Sequence, residues 1–457
     1  MREREEVKSL KAIVLAAGDG TRFKPFTDHN PKPLLPLLGL TLIERILLAA
    51  KKAGIRDFVV VLGYKGERVR DFLGDGRRYG IRIEYVENRD WHRGNGTSLL
   101  AAESAVKDEE HFVVMMADHV FEPDLLRKAL ALQPRGRDSV LCVDRDLSGI
   151  ADLQDATKVH TEGGFIVQID KRLKHFDAVD TGFFIFSHEI FDALRAADTG
   201  HALTLTAGVK RLAERRLIRV VDVTGFFWID VDRPELLGVA ESRLLKTLSK
   251  STDGVVSRWL NRPISTRLTR FLVRTPLSPD TVTAISFMIA VASGILFAVG
   301  HLVWAGLLAQ FASVIDGVDG EIARLKFRET RLGAFVDSLL DRYGDSAIVL
   351  GMSTWAYLST GNAWTLLLGM AVLAGAPMSM LAKEKFRAIT GRDYPIEQAE
   401  GWLRYIPDSR DARLFIIMLG GLFGAVIPAL VLLAVLTHGK TVWRMYRLAG
   451  LLDAPAV

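Results

Sequence analysis

Only one cysteine, Cys142, occurs in 457 residues. That excludes an intrachain disulfide and any cysteine-based metal site. No apolar stretch of the signal-peptide kind follows the charged opening MREREEVKSLK, so the chain is expected to start in the cytosol. Charge of one sign is also scarce. The formal excess is only +5, and the basic residues gather beside apolar runs, which argues against nucleic acid as a partner. Lysine and arginine are missing altogether from the turns near Gly300-His301, Ser359–Asn362 and Ile427-Pro428. What the chain does have is 49% hydrophobic residues beside 25% charged ones, with slightly positive mean hydropathy. This mixture and length predict a soluble part joined to a membrane part.

The densest chemistry lies in Asp316–Asp341, reading DGVDGEIARLKFRETRLGAFVDSLLD. Asp316 and Asp319 are three positions apart, Asp337 and Asp341 four, so on helices each pair shares a face. Four carboxylates at the ends of apolar helices repel one another unless a cation joins them. Oxygen-only ligands suit Mg²⁺, Mn²⁺ or Ca²⁺. Gly317, Gly320, Ala323 and Gly333 leave room for a substrate beside the acids, and Arg324 offers a fork for phosphate. The plainer alternative makes these acids solvated helix ends, or counter-ions for Arg324, Lys326, Arg328 and Arg331. Matched spacing with glycines between the acids weighs against it. The pattern Asp316-x-x-Asp319-Gly320-x-x-Ala323-Arg324, eight residues, then Gly333-x-x-x-Asp337-x-x-x-Asp341, resembles the signature of the CDP-alcohol phosphotransferases. The resemblance implies a membrane enzyme that moves a substituted phosphate from a CDP-alcohol to a second alcohol. By that pattern Asp316, Asp319, Asp337 and Asp341 surround the metal, Asp341 serves as general base, and Gly320, Ala323 and Arg324 border the substrate.

In the first half, Ala12–Ala17 is a short apolar run of the buried-strand kind entering Gly18-Asp19-Gly20-Thr21-Arg22. Strand, glycine loop and basic residue suit a nucleoside triphosphate, because bare backbone N–H groups can approach phosphates. With Pro25, Thr27 and Pro31-Lys32-Pro33-Leu34, the stretch resembles the G-x-G-T-R…P-K-P-L signature of sugar-phosphate nucleotidyltransferases. Phe23 stands where that family often has leucine. Strand candidates Phe58–Leu62, Ile83–Val86 and Phe112–Met116 alternate with helical stretches such as Leu42–Ala53. The alternation predicts a doubly wound α/β sheet with a Rossmann-like core. Asp118 falls just past a strand's carboxyl end, where open sheets bind ligands. The resemblance makes Lys32 and Arg22 the catalytic cations, and Ala17, Gly18, Gly20 and Thr21 the phosphate loop. It makes Gly96 and Thr97 part of the base and ribose loop, and Lys171 and Gly182 contacts to the sugar phosphate. Asp118 and Asp230 would hold the metal, with Asp232 a rival to Asp230 because many members carry glycine there.

Ser249–Gly254 reads as a linker, dividing a nucleotidyltransferase domain (1–248) from a membrane domain (249–457). Val255–Arg274 reads as an interfacial amphipathic helix broken near Pro263. Six apolar segments follow, near Thr281–Val299, Leu302–Ile315, Gly333–Leu358, Trp364–Leu381, Leu414–Val426 and Pro428–Leu436, and are expected to form six transmembrane helices. Arg324 to Arg331, then Lys383, Lys385, Arg387, Arg392, Arg404, Arg410 and Arg413, then Lys440, Arg444 and Arg447 occupy alternate turns. The positive-inside rule places those turns, the four aspartates and both termini in the cytoplasm of a multi-pass protein of the cell membrane.

A nucleotidyltransferase fused to such a membrane domain resembles the bifunctional inositol-1-phosphate cytidylyltransferase/di-myo-inositol-phosphate phosphate synthases. That resemblance implies CTP and inositol 1-phosphate as substrates and CDP-inositol as intermediate. It also implies a second inositol 1-phosphate as acceptor, and Mg²⁺ (or Mn²⁺) in both sites. Lys383, Lys385, Arg387, Arg410 and Arg413 form a cationic group suited to the acceptor's phosphate, with Arg413 the first choice. Lipid around the second half and a homodimer through it are further expectations. The alternatives are phospholipid-headgroup synthesis from a CDP-linked alcohol, and a non-catalytic membrane nucleotide sensor.

Overall fold

A computed structural model describes residues 10–132, 134–249, 253–392, 394–395, 399–401 and 409–452, with no side-chain description for 449–452. The chain divides into two compact units, Met1–Leu244 and Leu245–Val457.

In the first unit a nine-stranded sheet is built from β1 (Ala12–Ala16), β2 (Asp57–Leu62), β3 (Arg82–Glu87), β4 (His111–Met116), β5 (Ser139–Asp144), β6 (Lys158–Glu162), β7 (Phe165–Asp170), β8 (Ala178–Ser187) and β9 (Ile218–Asp222), in the order β3-β2-β1-β4-β8-β5-β9-β7-β6. The strands β3, β2, β1 and β4 are mutually parallel, whereas β8 runs antiparallel to β4 and β5. β1 is buried along its whole length, as expected of a strand covered on both faces. The helix Leu42–Ala53 starts with a full capping box, in which the Thr41 hydroxyl accepts from the Glu44 N–H and the Glu44 carboxylate from that of Thr41. Its apolar face and those of the neighbouring helices cover the sheet, leaving the loops at the carboxyl ends of β1 and β4 free for chemistry. A separate ribbon pairs His119–Phe121 with Trp228–Asp230, setting Asp230 opposite His119. That pairing brings together two segments more than a hundred residues apart.

The second unit is helical: α1 (Arg262–Leu272), α2 (Pro279–Ala298), α3 (Leu302–Leu325), α4 (Arg331–Thr360), α5 (Trp364–Thr390), α6 (Arg410–Leu422) and α7 (Val426–Leu452). Of the expected linker Ser249–Gly254, residues 250–252 lie outside the described residues, as does Arg404. The expected break near Pro263 is corrected. The backbone stays helical from Val255 to Leu272 and passes through a π-turn at Ser257–Asn261 just before Arg262-Pro263. Proline lacks the N–H of the ordinary α pattern, and a widened turn ahead of it removes the clash without breaking the helix.

Around α1 polarity is inverted. Asn261, Ser265 and Thr269 are buried, while Val255, Trp259, Ile264 and Phe271 are exposed. The buried face is hydrogen-bonded to α3. Asn261 donates to Ser313 (2.9 Å), and Ser265, Thr269 and Arg262 donate to the wholly buried Glu321 (2.7, 2.6 and 2.6 Å).

Among the described residues four helices are long and apolar enough to cross a membrane: α2, α3, α5 and α7 through Leu448. α4 carries Asp337, Asp341, Arg342 and Asp345, and α6 has only 13 residues, about 20 Å of helix. Two crossings are backbone against backbone. A Cβ on Gly351 of α4 would collide with the carbonyl of Gly294 of α2, and one on Gly421 of α6 would lie 2.5 Å from the Leu302 carbonyl and 3.0 Å from Gly306 of α3. Small residues allow this approach where lipid supplies no drive for helix association.

Candidate active sites

In the first unit the glycine loop follows β1. Gly20 has φ +60, and a Cβ there would stand 2.7 Å from the Lys32 side chain, so glycine is what lets loop and lysine meet. Gly18, Gly20, Thr21, Arg22, Lys32 and Asp118 line a cavity of about 300 Å³. Ala17 stands at its edge, its carbonyl accepting from the Tyr64 N–H (3.0 Å). The Lys32 ammonium sits between two carboxylates, 2.6 Å from Asp118 and 2.8 Å from Asp232. Burial alone would lower its pKa, yet Asp118, Asp232 and Asp230 raise it well above the usual lysine value. Arg22 reaches Asp155 at 2.9 Å and Asp232 at 3.4 Å, and Lys171 reaches Asp155 at 3.0 Å.

Asp118, His119 and Asp230 form the second half of this site, each offering a ligand atom within 4.8 Å of the others. His119 Nδ1 lies 2.9 Å from Asp118, and its ring is nearly parallel to those of Phe121 and Trp228, at centroid distances of 6.0 and 6.5 Å. Gly182, at φ +78, leaves the ring space, since a Cβ would come within 2.5 Å of it. Burial would raise Asp118, but Lys32 and His119 hold it far below the carboxylate range. Burial pushes Asp230 up to about 7, and the charges of Asp118 and Asp232 add to this. One Asp230 oxygen is buried without a hydrogen-bond partner. An orphaned oxygen beside a second carboxylate and an imidazole is the donor set a divalent cation fits. Asp232 lies outside this set and pairs with both Lys32 and Arg22.

Other expected residues fall elsewhere. Gly96 and Thr97 are buried at the start of the helix Asn95–Ala101, Gly96 packed on Leu203 and Thr97 donating to the Gly94 carbonyl (2.7 Å). Of that loop, Asn95 faces the larger cavity of about 550 Å³, which Lys171, Gly182, Asp118 and Asp230 also line. Lys158, near Lys171, donates to the carbonyls of Gln154, Ala156 and Lys171 (3.0, 3.2 and 2.8 Å) and so braces the backbone.

In the second unit Asp316 and Asp319 of α3 and Asp337 of α4 bring carboxylate oxygens within 4.8 Å of one another. Asp319 accepts from Thr283 of α2 at 2.5 Å and from the Gly320 N–H. One Asp337 oxygen is buried without a partner. Three carboxylates with an orphaned oxygen again fit a hard divalent cation. Asp341 stands outside this trio. Arg410, opening α6, lies 2.9 Å from Asp316, 2.9 Å from Asp341 and 2.9 Å from Asp345. Arg413 is 3.4 Å from Asp345. Arg324 curls back over Gly320, where a Cβ would stand 3.2 Å from its guanidinium; Ala323 precedes it on the last turn of α3. Lys383 lies 3.9 Å from Glu400, a buried carboxylate that also pairs with Lys440 (3.3 Å) and Arg444 (2.6 Å), and Lys385 is exposed. The expected cationic group therefore divides, with Arg410 and Arg413 at the aspartates and Lys383 at Glu400.

Arg410 outranks Arg413 as the residue touching the quartet, and Asp345 was missed although it continues the four-residue spacing of Asp337 and Asp341. His119 was likewise missed as part of the metal-capable set; its adjacency to Asp118 was the available signal.

Fold and sites together define a two-part transferase, in which a nucleotidyltransferase is joined to a helical CDP-alcohol phosphotransferase. Residues 12–216 match the MobA-like NTP transferase domain, and residues 277–443 the CDP-alcohol phosphatidyltransferase family. The chain is 35% identical over 443 residues to the bifunctional IPC transferase and DIPP synthase of Aquifex aeolicus, covering 95% of this chain and 97% of that one. It is 37% identical over 444 residues to that of Rubrobacter xylanophilus, covering 96% and 97%. The inositol-1-phosphate CTP transferase structure from T. maritima covers 51% of this chain and 96% of its own, at 25% identity and TM-score 0.46. The chain belongs to the bifunctional IPC transferases and DIPP synthases.

Proposed function

We propose that residues 1–248 make CDP-inositol from CTP and inositol 1-phosphate. Residues 249–457 then transfer the inositol phosphate to a second inositol 1-phosphate, releasing CMP. The observation that carries this reading is the presence of two complete acid clusters in one chain that aligns with bifunctional relatives along nearly its whole length.

In the first reaction a phosphate oxygen of inositol 1-phosphate attacks the α-phosphorus of CTP, and pyrophosphate leaves. Lys32 and Arg22, lining the glycine-loop cavity, stabilise the charge that builds on the phosphates. The loop N–H groups approach the triphosphate without side-chain bulk. Asp118 and Asp230 are the proposed metal ligands of this site, supported by their grouping with His119 and by the orphaned Asp230 oxygen. Lys171 serves the alcohol phosphate in the larger cavity.

In the second reaction an acceptor hydroxyl attacks the β-phosphorus of the CDP-alcohol. Asp341 takes the hydroxyl proton, and its place outside the Asp316–Asp319–Asp337 trio supports that role. Arg410 orients Asp341 and keeps it close to Asp316. Arg324 and Arg413 are assigned to phosphate groups of donor and acceptor. Bound Mg²⁺ in either site would neutralise phosphate charge and polarise the P–O bonds.

We also assign α2 to α7 as six membrane spans, with α1 lying in the interface. The apolar exposed face and polar buried face of α1 support the latter. Alternation of basic turns supports a cytoplasmic position for both sites. Product analysis tests the proposal directly. Purified protein given CTP and inositol 1-phosphate should yield CDP-inositol, pyrophosphate, CMP and a phosphorylated di-inositol phosphate. Transfer to an added lipid alcohol in place of the second inositol phosphate would overturn it.

A further inference from the structure

The larger cavity of the first unit is lined by more acids than the metal-capable set uses. Their commitments can be followed one at a time. Asp144 accepts from the Trp228 indole N–H (2.8 Å) and from the Asp146 N–H (2.9 Å). Asp146 accepts from both the N–H and the hydroxyl of Ser148. Asp152 pairs with Arg233 at 3.2 Å, and Asp155 with Arg22 and Lys171. Asp180 shares its one-sided bonding only with Asp146, which is exposed, whereas Asp180 is half-buried. One of its oxygens accepts from the Gly182 N–H (2.7 Å), and the other has no protein donor among the described residues.

The backbone presents Asp180 to the cavity. The pairing of β8 with β5 shifts register between Asp180 and Phe184, and Gly182 sits there at φ +78. Such an irregularity re-aims side chains out of the regular alternation. Asp180 is half-buried and lines the cavity, with no lysine or arginine paired to it among the described residues. A half-buried carboxylate whose second oxygen opens onto the cavity offers a hydrogen-bond acceptor to whatever occupies it. Phosphate cannot supply the donor, and Lys171, Arg22 and Lys32 already provide for anions at the other acids. The same cavity is lined by Asn95, Thr157, Thr204 and Thr206, hydrogen-bonding groups suited to neutral hydroxyls.

We propose that Asp180 selects the alcohol half of the first reaction's substrate by accepting a hydrogen bond from a ring hydroxyl of a phosphorylated polyol. The inference rests on the two-step reading above and names the group that recognises the alcohol. A site built around such an acceptor discriminates strongly against analogues lacking the hydroxyl, because the half-buried carboxylate is then left unsatisfied.

The test uses the full-length protein with a panel of inositol 1-phosphate, its monodeoxy analogues, glucose 1-phosphate and phosphoethanolamine. Asp180→Ala removes the acceptor. Asp180→Asn keeps the shape and the oxygen facing Gly182, so it controls for folding, with CTP-induced thermal stabilisation as a second check. Both variants should raise the KM for inositol 1-phosphate by about tenfold to a hundredfold while the KM for CTP stays within about twofold. One monodeoxy analogue should lose a similar factor with the unaltered protein and lose nothing further with Asp180→Ala. Equal effects on both substrates, or indifference to every deoxy position, would overturn the proposal. If the unaltered protein prefers another phosphorylated polyol, the inositol assignment falls, while the same KM split on that polyol upholds Asp180. Preference for phosphoethanolamine would overturn both.

Discussion

Asp118 and Asp232 close on Lys32 from two distant chain segments, whereas Asp316, Asp341 and Asp345 sit on two neighbouring helices and share Arg410 from a third. In the first unit the acids converge through strand ends and a two-stranded ribbon, and the cation comes from the loop after the glycine turn. In the second, helix periodicity places the acids, and only the cation depends on tertiary structure. A compact ammonium can serve two carboxylates as a point charge, and three need the planar fork of a guanidinium. The first site can therefore release its lysine to a phosphate while the acids keep other partners. Loss of Arg410 leaves three carboxylates together.

The sharpest break of this comparison is the separation of the two reactions. Lys32→Ala should reduce CDP-alcohol formation by about a thousandfold or more and leave transfer from supplied CDP-alcohol within about twofold. Asp341→Asn should do the reverse, with each half-reaction assayed on its own substrates. Loss of both reactions in either folded variant would refute two independent sites.

Next in size is Arg410→Ala. Removing the shared cation from a buried group of carboxylates should cost about 3–5 kcal/mol of stability in the second unit, together with nearly all transfer. Arg410→Lys should recover little of it. Arg22→Ala in the first unit should leave the melting curve almost unchanged, because its carboxylate pairs are half exposed and such pairs contribute about 1 kcal/mol or less. Thermal melts in detergent, followed separately for each unit, would show whether the contrast holds.

A smaller effect distinguishes Asp230 from Asp232. Binding of Mn²⁺ to the first unit, followed by electron paramagnetic resonance, should weaken by about tenfold or more in Asp230→Asn and by about threefold or less in Asp232→Asn. The reverse order would move the cation to the Lys32 side of Asp118. The smallest change is expected at the exposed Lys385, where alanine should alter neither reaction by more than about twofold.

Much of this was legible in the chain. The spacing of Asp316, Asp319, Asp337 and Asp341 carries its own geometry, because α-helical periodicity turns sequence offsets into faces. The glycine loop, Lys32 and Asp118 could be read because strand, turn and acid follow one another in short order. Arg410 could be read as a basic flank but not as the partner of three acids, since that depends on how α6 packs on α3. Strand pairing sets Asp230 opposite His119, while Asp232 lies beyond the ribbon beside Lys32, and two acids two residues apart look alike until one is paired. Pro263 predicted an interruption, and the backbone met it with a wider turn whose partners on α3 no local pattern announces. The committed state of Lys158 depends on three carbonyls from loops, a type of contact that composition does not encode.

The glycine crossings carry a mechanical consequence. Gly306 precedes Asp316 by ten residues on α3, and Gly351 follows Asp341 by ten residues on α4. Each acid-bearing arm is therefore about 15 Å long, measured from a point where two backbones touch. A fulcrum that tight has no compliant side chain to absorb a disturbance. Rotation of either arm by about 4° would carry its carboxylates about 1 Å, a displacement large enough to spoil a reacting geometry. A single methyl group at Gly306 or Gly351, remote from any phosphate, acts at the short end of a lever whose long end is the active site.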